Sequence, residues 1–592
     1  MASENSNFDE EKTEKSPQRK GGWITFPFLS GVLFHFPFFF PCILIERLSS
    51  HIPAHMASFQ PIGSILGVGL AMSGVMNNFM VYLIQEYNVR SIDAAQIVNI
   101  IHGSVNLAPV AGAIVADAFI GCYSVIAISS AIQLLSFVLF TMTAALKSLR
   151  PTPCHIPGTD SCQAASKGQL TVLYSAVALL AIATGGTRFN LATMGASQFD
   201  RVEDQAVYFN WFFIFMYISL IVGATAIVYI QDSISWVLGF SLSLSASAVS
   251  LVVLLLGTKY YRRPAPQGSP FTGLFRVGVA TVRKWKLKLS QASPSYFHGN
   301  DDMASPSLNF SLFNRAALIG EGETNQDGSI AKPWKLCTVR EVEDFKSVVR
   351  VLPVWASSIF ISISIGCQMN LSVLQALTMD RSIRPSFSIP AGSMNVPAFL
   401  AFVIFLTFLD RILFPIWLKL THHTPTPLQR IGIGHLINVV SMIASALVER
   451  RRAAVISRHQ AEVHPGWIVP MSALWLVLPL ALLGAAEALH FPGQVALYYQ
   501  EFPKALKNTS TGMEAVIIGF GFYLSTAFLS ILRHVTTWLP DDLNRSRLEN
   551  VYWLIAILAT INFGIYIICA KFYKYQNSVD TEKVAISEIS AS

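Results

Sequence analysis

Charge is what this chain has least of. Only 13% of its 592 residues are Asp, Glu, Lys or Arg, about half the share of an ordinary soluble domain. That shortage excludes a typical cytosolic enzyme. Cysteine is sparse as well: Cys42, Cys122, Cys154, Cys162, Cys337, Cys367 and Cys569 are too few for a disulfide scaffold. No CxxC or Cys/His cluster at zinc spacing occurs among them, so neither a metal site nor a cofactor is expected. No Walker lysine motif is present, which argues against ATP hydrolysis as an energy source. The first 20 residues have no apolar h-region and no small-residue cleavage site, so they read as a cytoplasmic tail rather than a signal peptide.

What the chain does have is apolar length, with 52% of its residues hydrophobic. Its apolar runs are continuous and two to three times longer than the alternating segments of about 10 residues in a membrane β-barrel, which excludes that architecture. They fit spanning helices of about 20 residues. One group covers 62–85, 93–116, 123–146, 169–192, 208–230 and 234–256, and a second covers 347–377, 394–418, 428–448, 467–489, 513–533 and 550–570. The expected fold class is therefore an all-α polytopic membrane protein of twelve transmembrane helices in two six-helix bundles. Its expected units are a cytoplasmic tail and approach over 1–30, an atypical stretch over 31–60, bundles over 61–256 and 345–571, a central cytoplasmic loop over 257–344, and a tail over 572–592.

The net charge of +7 belongs, in such a protein, mostly to cytoplasmic loops and does not indicate nucleic-acid binding. The polar segment between the groups is rich in Lys and Arg, which places it and both termini in the cytosol. Two six-helix halves around a basic loop is the layout of major-facilitator transporters, whose halves rock about a site near the bilayer midplane. The stretch 31–60 does not fit: its apolar run from Gly31 to Ile45 is short for a span and carries Pro37 and Pro41. It reads as an interfacial or re-entrant segment, or as retained non-coding sequence, and less well as a true span.

Ionisable groups inside spanning helices are costly, so they are functional candidates. Asp117 ends the second span and reads as a helix-end latch. Arg188, after Gly185 and Gly186 in the fourth, can attract an anion through forked hydrogen bonds, or else snorkel to headgroups. Glu487 in the tenth can couple to protons or contact substrate, or simply tie two helices. Asn77, Asn78, Asn210, Tyr217, Gln368 and Gln375 are polar candidates for the same cavity, although each is more often an inter-helix hydrogen bond. Lys346 begins the seventh span and is a candidate for the gate or a plain anchor. Cys154 and Cys162 share an expected external loop, where they can form a disulfide or stay free. His155 and Asp160 match a cheap acyltransferase spacing and read as a coincidence. Asn544-Arg-Ser in the last external loop is the usable glycosylation sequon, whereas Asn508-Thr-Ser falls in a cytosolic loop.

Several segments together resemble the plant nitrate and peptide transporter family of proton-coupled carriers, over nearly the whole chain. They include GAIVADAFIGCY (112–123), TGGTRFNLATMGASQFD (184–200), YFNWFF (208–213), YYRRPAPQGSPFT (260–272), NRAAL (314–318), WKLCTVREVEDFK (334–346) and IPAGSMNV (389–396). GGWITFPF, SIDAAQI and AEALHFPGQVALYYQEFP look closest to the nitrate excretion branch. The resemblance also shows departures. The family's first-helix E-x-x-E-R falls on Ile65, Val68 and Gly69, so the acid pair and its arginine are absent, and no histidine occurs between Val342 and Arg381 on the seventh span. The family's GGWITFPF normally runs straight into the first helix, which makes 31–60 look inserted. The resemblance implies a carrier of nitrate or a similar small anion, with weakened proton coupling, acting by efflux at the plasma membrane rather than the vacuole. Substrate contacts are expected at Arg188, Glu487, Asn78, Asn210, Gln368 and Gln375, with the lipid bilayer and protons as the other partners. Proton-coupled carriage of larger organic anions, such as hormone or glucosinolate conjugates, or of peptides is the alternative, as is a non-transporting nitrate receptor.

Overall fold

The computed structural model describes residues 64–154, 163–199, 208, 212, 215–263, 270–287, 296–299, 306–327, 329–385, 387–422, 425–459, 467–502 and 510–573. The expectations for 31–60, for Asn210, Cys162, Asn508 and the pair His155 and Asp160, and for both tails lie outside the described residues.

Among the described residues twelve helices are long and apolar enough to cross a membrane. The first half holds α1 (Ser64–Glu86), α2 (Ser91–Ile120), α3 (Cys122–Ala145), α4 (Lys167–Ala196), α5 (Phe215–Ser233) and α6 (Trp236–Lys259). The second holds α7 (Val339–Leu377), α8 (Ala391–Thr421), α9 (Pro427–Arg458), α10 (Val477–Glu501), α11 (Ser510–Val535) and α12 (Leu548–Phe572). Capping boxes open three of them: Ser166 with Gln169 on α4, Thr338 with Glu341 on α7 and Thr426 with Gln429 on α9. Each satisfies two amides that the first turn leaves without partners. Between α2 and α3 the chain turns at Gly121 with φ +78°, a conformation that side chains with a Cβ rarely adopt.

Small residues set the packing of the first half. A Cβ on Gly112 would lie 2.0 Å from the Gly185 carbonyl oxygen, and one on Gly186 would lie 1.8 Å from Ser129 Oγ. Helices α2 and α4 therefore meet almost backbone to backbone, with the Ser129 side chain of α3 against the turn that precedes Arg188. In the second half α10 lies against α8 and α9, while α7 packs on α11 and α12. The halves meet mainly where α2 crosses α11 and where α1 reaches the start of α8.

Helices α7, α9 and α10 outrun their expected limits, α10 ending at Glu501 rather than near 489. Helix α7 starts at Val339 rather than near 347, and α9 continues to Arg458 rather than stopping near 448. The charges that mark an end of hydropathy on α9 are folded inward. Arg452 and Glu449 are each 1% exposed, with Arg452 Nε 2.9 Å from Glu449 Oε2. Arg452 also donates to Asn544 Oδ1, Thr378 Oγ1 and the Leu543 carbonyl. This cluster corrects the sequon reading. Asn544 is buried and gives its Nδ2 to the Trp467 carbonyl at 2.9 Å, so its amide is not available to carry a glycan in the folded protein.

The segment between the halves is folded where it is described. A helix over Pro270–Arg283 packs on the 3₁₀ turn Ser311–Ala317 and on the start of α7, around Val277, Ala280, Ala317, Cys337 and Val342. Lys284 closes this unit through an ion pair of 2.6 Å with Glu323. Burial pushes the Cys337 thiol up to about 12, followed by the repulsion of nearby Glu341. On the opposite face of the molecule lie two short ribbons, with β1 (Met379–Asp380) parallel to β4 (Val469–Ser472) and β2 (Ser382–Arg384) antiparallel to β3 (Phe387–Ser388).

Candidate functional site

Three charged side chains gather between the halves. Arg188 of α4, Glu487 of α10 and Glu514 of α11 are neither sealed nor fully exposed, although all three sit on spanning helices. They line a cleft that water can reach. Arg188 donates from Nη1 to Asn106 Oδ1 of α2 at 2.7 Å, and Asn106 is itself fixed by donating to the His102 carbonyl at 2.8 Å. Arg188 interacts through space with Glu514 and Tyr217, and Glu487 with Glu514. Among the described residues no carboxylate comes within 4.0 Å of the Arg188 guanidinium. A neutral amide therefore orients the cation and leaves donors for an anion.

Helix α1 packs closely on α5 within the first half. A Cβ on Gly69 would lie 2.2 Å from Ser219 Oγ of α5, so α1 packs where a longer residue would need room. Val68 lies one position before it, and the side chain of Ile65 is outside the described set.

One face is latched. Arg533 of α11 pairs with Asp93 of α2 at 2.5 Å and with Asp541 at 2.6 Å, Arg90 reaches Asp541 at 3.5 Å, and Arg381 reaches Asp232 at 3.8 Å. Neutral contacts lie beneath these pairs: Ser104 meets the Tyr523 hydroxyl at 2.7 Å, and the Tyr217 ring stacks on Phe402 with centroids 4.7 Å apart. The Arg533–Asp93, Arg90–Asp541 and Arg381–Asp232 pairs join the two halves on the face opposite the central segment, so the cleft is closed there.

The remaining sequence candidates divide. Asn78 donates to Gln231 at 3.2 Å, linking α1 and α5. Gln368 donates to Ser441 and Ser445 of α9, and Gln375 donates to Glu449 and accepts from the Tyr552 hydroxyl. All three are buried and bond within one half. Asn77 bonds back to its own helix at Ser73, whereas Tyr217 joins the Arg188 group. Lys346 is 1% exposed and held by Glu343 at 2.7 Å and by the Ser307 carbonyl, which anchors α7 to the central segment. Asp117 falls in the π-helical turn Ala116–Ile120 that ends α2, and its side chain is outside the described set. Cys154 is disulfide-bonded, while Cys337, Cys367 and Cys569 are free thiols.

Sequence reasoning missed Asn106 and Glu514. Glu514 was legible as an acid at the start of the eleventh span, but it reads there as an ordinary helix-end charge. Asn106 carries no signal of its own beyond being one more polar residue on α2.

Twelve spanning helices in two halves, with charged side chains lining a cleft between them and ion pairs closing one face, define a membrane transporter of the major facilitator type. The POT family profile (PTR2) matches residues 123–547, and the chain belongs to that family. It is 43% identical to Protein NRT1/PTR FAMILY 2.7 of Arabidopsis thaliana, covering 97% of this chain and 96% of that protein. It is 42% identical to Protein NRT1/PTR FAMILY 2.6 of the same plant, covering 95% of each. An auto-inhibited POT family peptide transporter shares the fold with a TM-score of 0.62 at 18% identity, covering 86% of this chain and 96% of that one.

Proposed function

We propose that this transporter moves nitrate or a similar small anion, outward across the plasma membrane, with proton coupling weaker than a first-helix acid pair would give. The observation that carries this reading is Arg188: a guanidinium in the cleft, held by the neutral Asn106 amide, with no described carboxylate in ion-pair contact and Glu514 acting on it only through space. A cation without a contact ion pair keeps donors open to an anion and disfavours cations. The packing of Gly69 on Ser219 supports the weakened coupling. Glu487 and Glu514 are the two carboxylates placed to take up protons or to gate. The positive-inside tendency assigns the central segment to the cytosol, so the latched face is external and the cleft faces inward, ready to load a cytosolic anion.

The test is competition in proteoliposomes bearing the purified full chain. Labelled nitrate is exchanged against unlabelled nitrate, chloride, a hormone conjugate, a glucosinolate and a dipeptide. Exchange blocked by nitrate but not by the dipeptide supports the reading. Selective block by the large organic anions or the dipeptide moves the substrate to that class, and binding without exchange indicates a receptor.

A further inference from the structure

Below Glu487, α10 carries a polar stripe that the anion cleft does not use. Glu487, Gln494 and Tyr498 recur at helical spacing along one face, and His490 flanks them. His490, Gln494 and Tyr498 are each 0% exposed. Yet both ring nitrogens of His490, both amide atoms of Gln494 and the Tyr498 hydroxyl find no protein partner. Neighbouring helices add more of the same, with His435 Nε2 and Asn438 Oδ1 from α9 and Asn562 Oδ1 from α12. His435, His490 and Asn562 form one cluster, and Asn438 on α9 and Gln494 and Tyr498 on α10 continue it along the same helices. The His435 ring meets His490 edge-on at 4.9 Å and stacks on Tyr566 at 4.8 Å. The Asn562 amide nitrogen donates to the Ser357 carbonyl at 2.9 Å and stands 3.5 Å from His435 Nδ1. One turn past Tyr498, the buried Glu501 accepts from the Tyr573 hydroxyl at 2.8 Å at the central-segment end of the helix.

Left dry, each of these eight atoms would cost about 1–3 kcal/mol, and their sum would rival the whole stability of a folded domain. A structural metal does not resolve the cost, because the described residues contain no group of three or more metal-binding side chains. Water does, since one buried molecule satisfies two to four polar atoms. We propose that a chain of internal water molecules lies beside His435, His490, Gln494 and Tyr498 and carries protons between Glu487 and the central-segment face, on a route that meets the anion cleft only at Glu487 and Glu514. The proposal rests on the reading of Glu487 as a proton acceptor.

The transfer is a relay. Each hop breaks one O–H or N–H bond and forms the next, so that one proton leaves the solution at the face and one arrives on the Glu487 carboxylate, with nothing oxidised or reduced. The two imidazoles and the waters take part in the hops, and Gln494, Asn438 and Asn562 orient the waters. The groups facing the route are few. Helix α9 supplies His435 and, nearer the face, Arg430, whose guanidinium lies 4.8 Å over the Phe414 ring and interacts with Asp410 of α8. Helix α11 supplies Glu514, which interacts with both Tyr498 and Glu487. Helix α12 supplies Tyr566 and Tyr573, and α7 the Ser357 carbonyl. The Ile431 carbonyl of α9 faces His490 outside hydrogen-bonding geometry.

Two measurements on the full-length protein in detergent test this without requiring transport. Hydroxyl-radical footprinting with pulses short against internal water exchange should label His435, His490 and Tyr498, and Gln494→Leu should remove most of that labelling. Infrared difference spectra after a rapid pH drop should show a carboxyl band that Glu487→Gln identifies. Its rise should slow at least tenfold in Gln494→Leu and in His490→Phe, with Gln494→Met as a milder variant should either misfold. Unlabelled side chains, an absent Glu487 band, or a rise unchanged in the variants would overturn the proposal. Anion exchange measured on the same preparations reports separately on the transport reading, so a failure there is distinguishable from a failure here.

Discussion

Replacing Arg533 by Gln should loosen the latched face without touching the cleft. Arg533 is the α11 side chain that reaches across to Asp93 of α2, and it also holds Asp541. The pair is partly wet, with side chains 23% and 30% exposed, so its worth is that of a screened surface pair, about 0.2–1 kcal/mol. Lost only from the closed state, that energy changes the ratio of closed to open molecules roughly 1.4- to 5-fold. The Arg90 to Asp541 and Arg381 to Asp232 pairs remain, so the face should loosen rather than fail. Spin labels at the exposed Lys147 and Arg545, one on each half, report the separation by pulsed electron resonance. Arg533→Gln should add a longer-distance population, Asp93→Asn should add a similar one, and the double variant should add little more than either. At about 0.5 M salt the difference from the parent should shrink, because exposed charges are screened within a few ångströms. Identical distance distributions in parent and variant at low salt would refute the latch, as would strictly additive single effects.

Arg452→Leu should destabilise the protein by about 3–5 kcal/mol, because it strands Glu449 in a dry site. Thermal unfolding should show this, and the pair Glu449→Met with Arg452→Leu should recover much of the loss. Treating the mature protein with an endoglycosidase should leave a peptide containing Asn544 unchanged in mass, since that amide is bonded to Trp467. Cys337 should resist maleimide at pH 8, far below its pushed-up value of about 12, and should react once the central segment unfolds. Fast labelling in the native state would contradict its place in that core.

The fold was legible because twelve spans of adequate length need only composition and run length to be seen. Their ends were harder, and α9 shows why. Glu449 and the arginines after it look like the water boundary by hydropathy, yet two of the four charges are buried by pairing with each other and with Asn544, which lies far along the chain. Local hydropathy cannot register a partner that only folding supplies. The same limit hid the division among the polar candidates. Gln368 and Gln375 are chemically as suited to a cleft as Tyr217 is, but they face α9 and α12, while Tyr217 faces Arg188. Arg188 itself stood out because an arginine is rare in a span. Glu514 passed unnoticed four residues into α11, where a carboxylate is ordinary. Its importance comes from α4 and α10 bringing Arg188 and Glu487 beside it.

The account stands most directly on the charge of Arg188. Proteoliposomes with membrane potential and pH gradient imposed separately allow nitrate flux through the parent protein and through Arg188→Gln to be compared under each drive. Flux that follows the potential without a pH gradient, and falls at least a hundredfold in Arg188→Gln while the variant keeps the parent's thermal stability, is the predicted result. Undiminished potential-driven flux in a folded Arg188→Gln protein would contradict it.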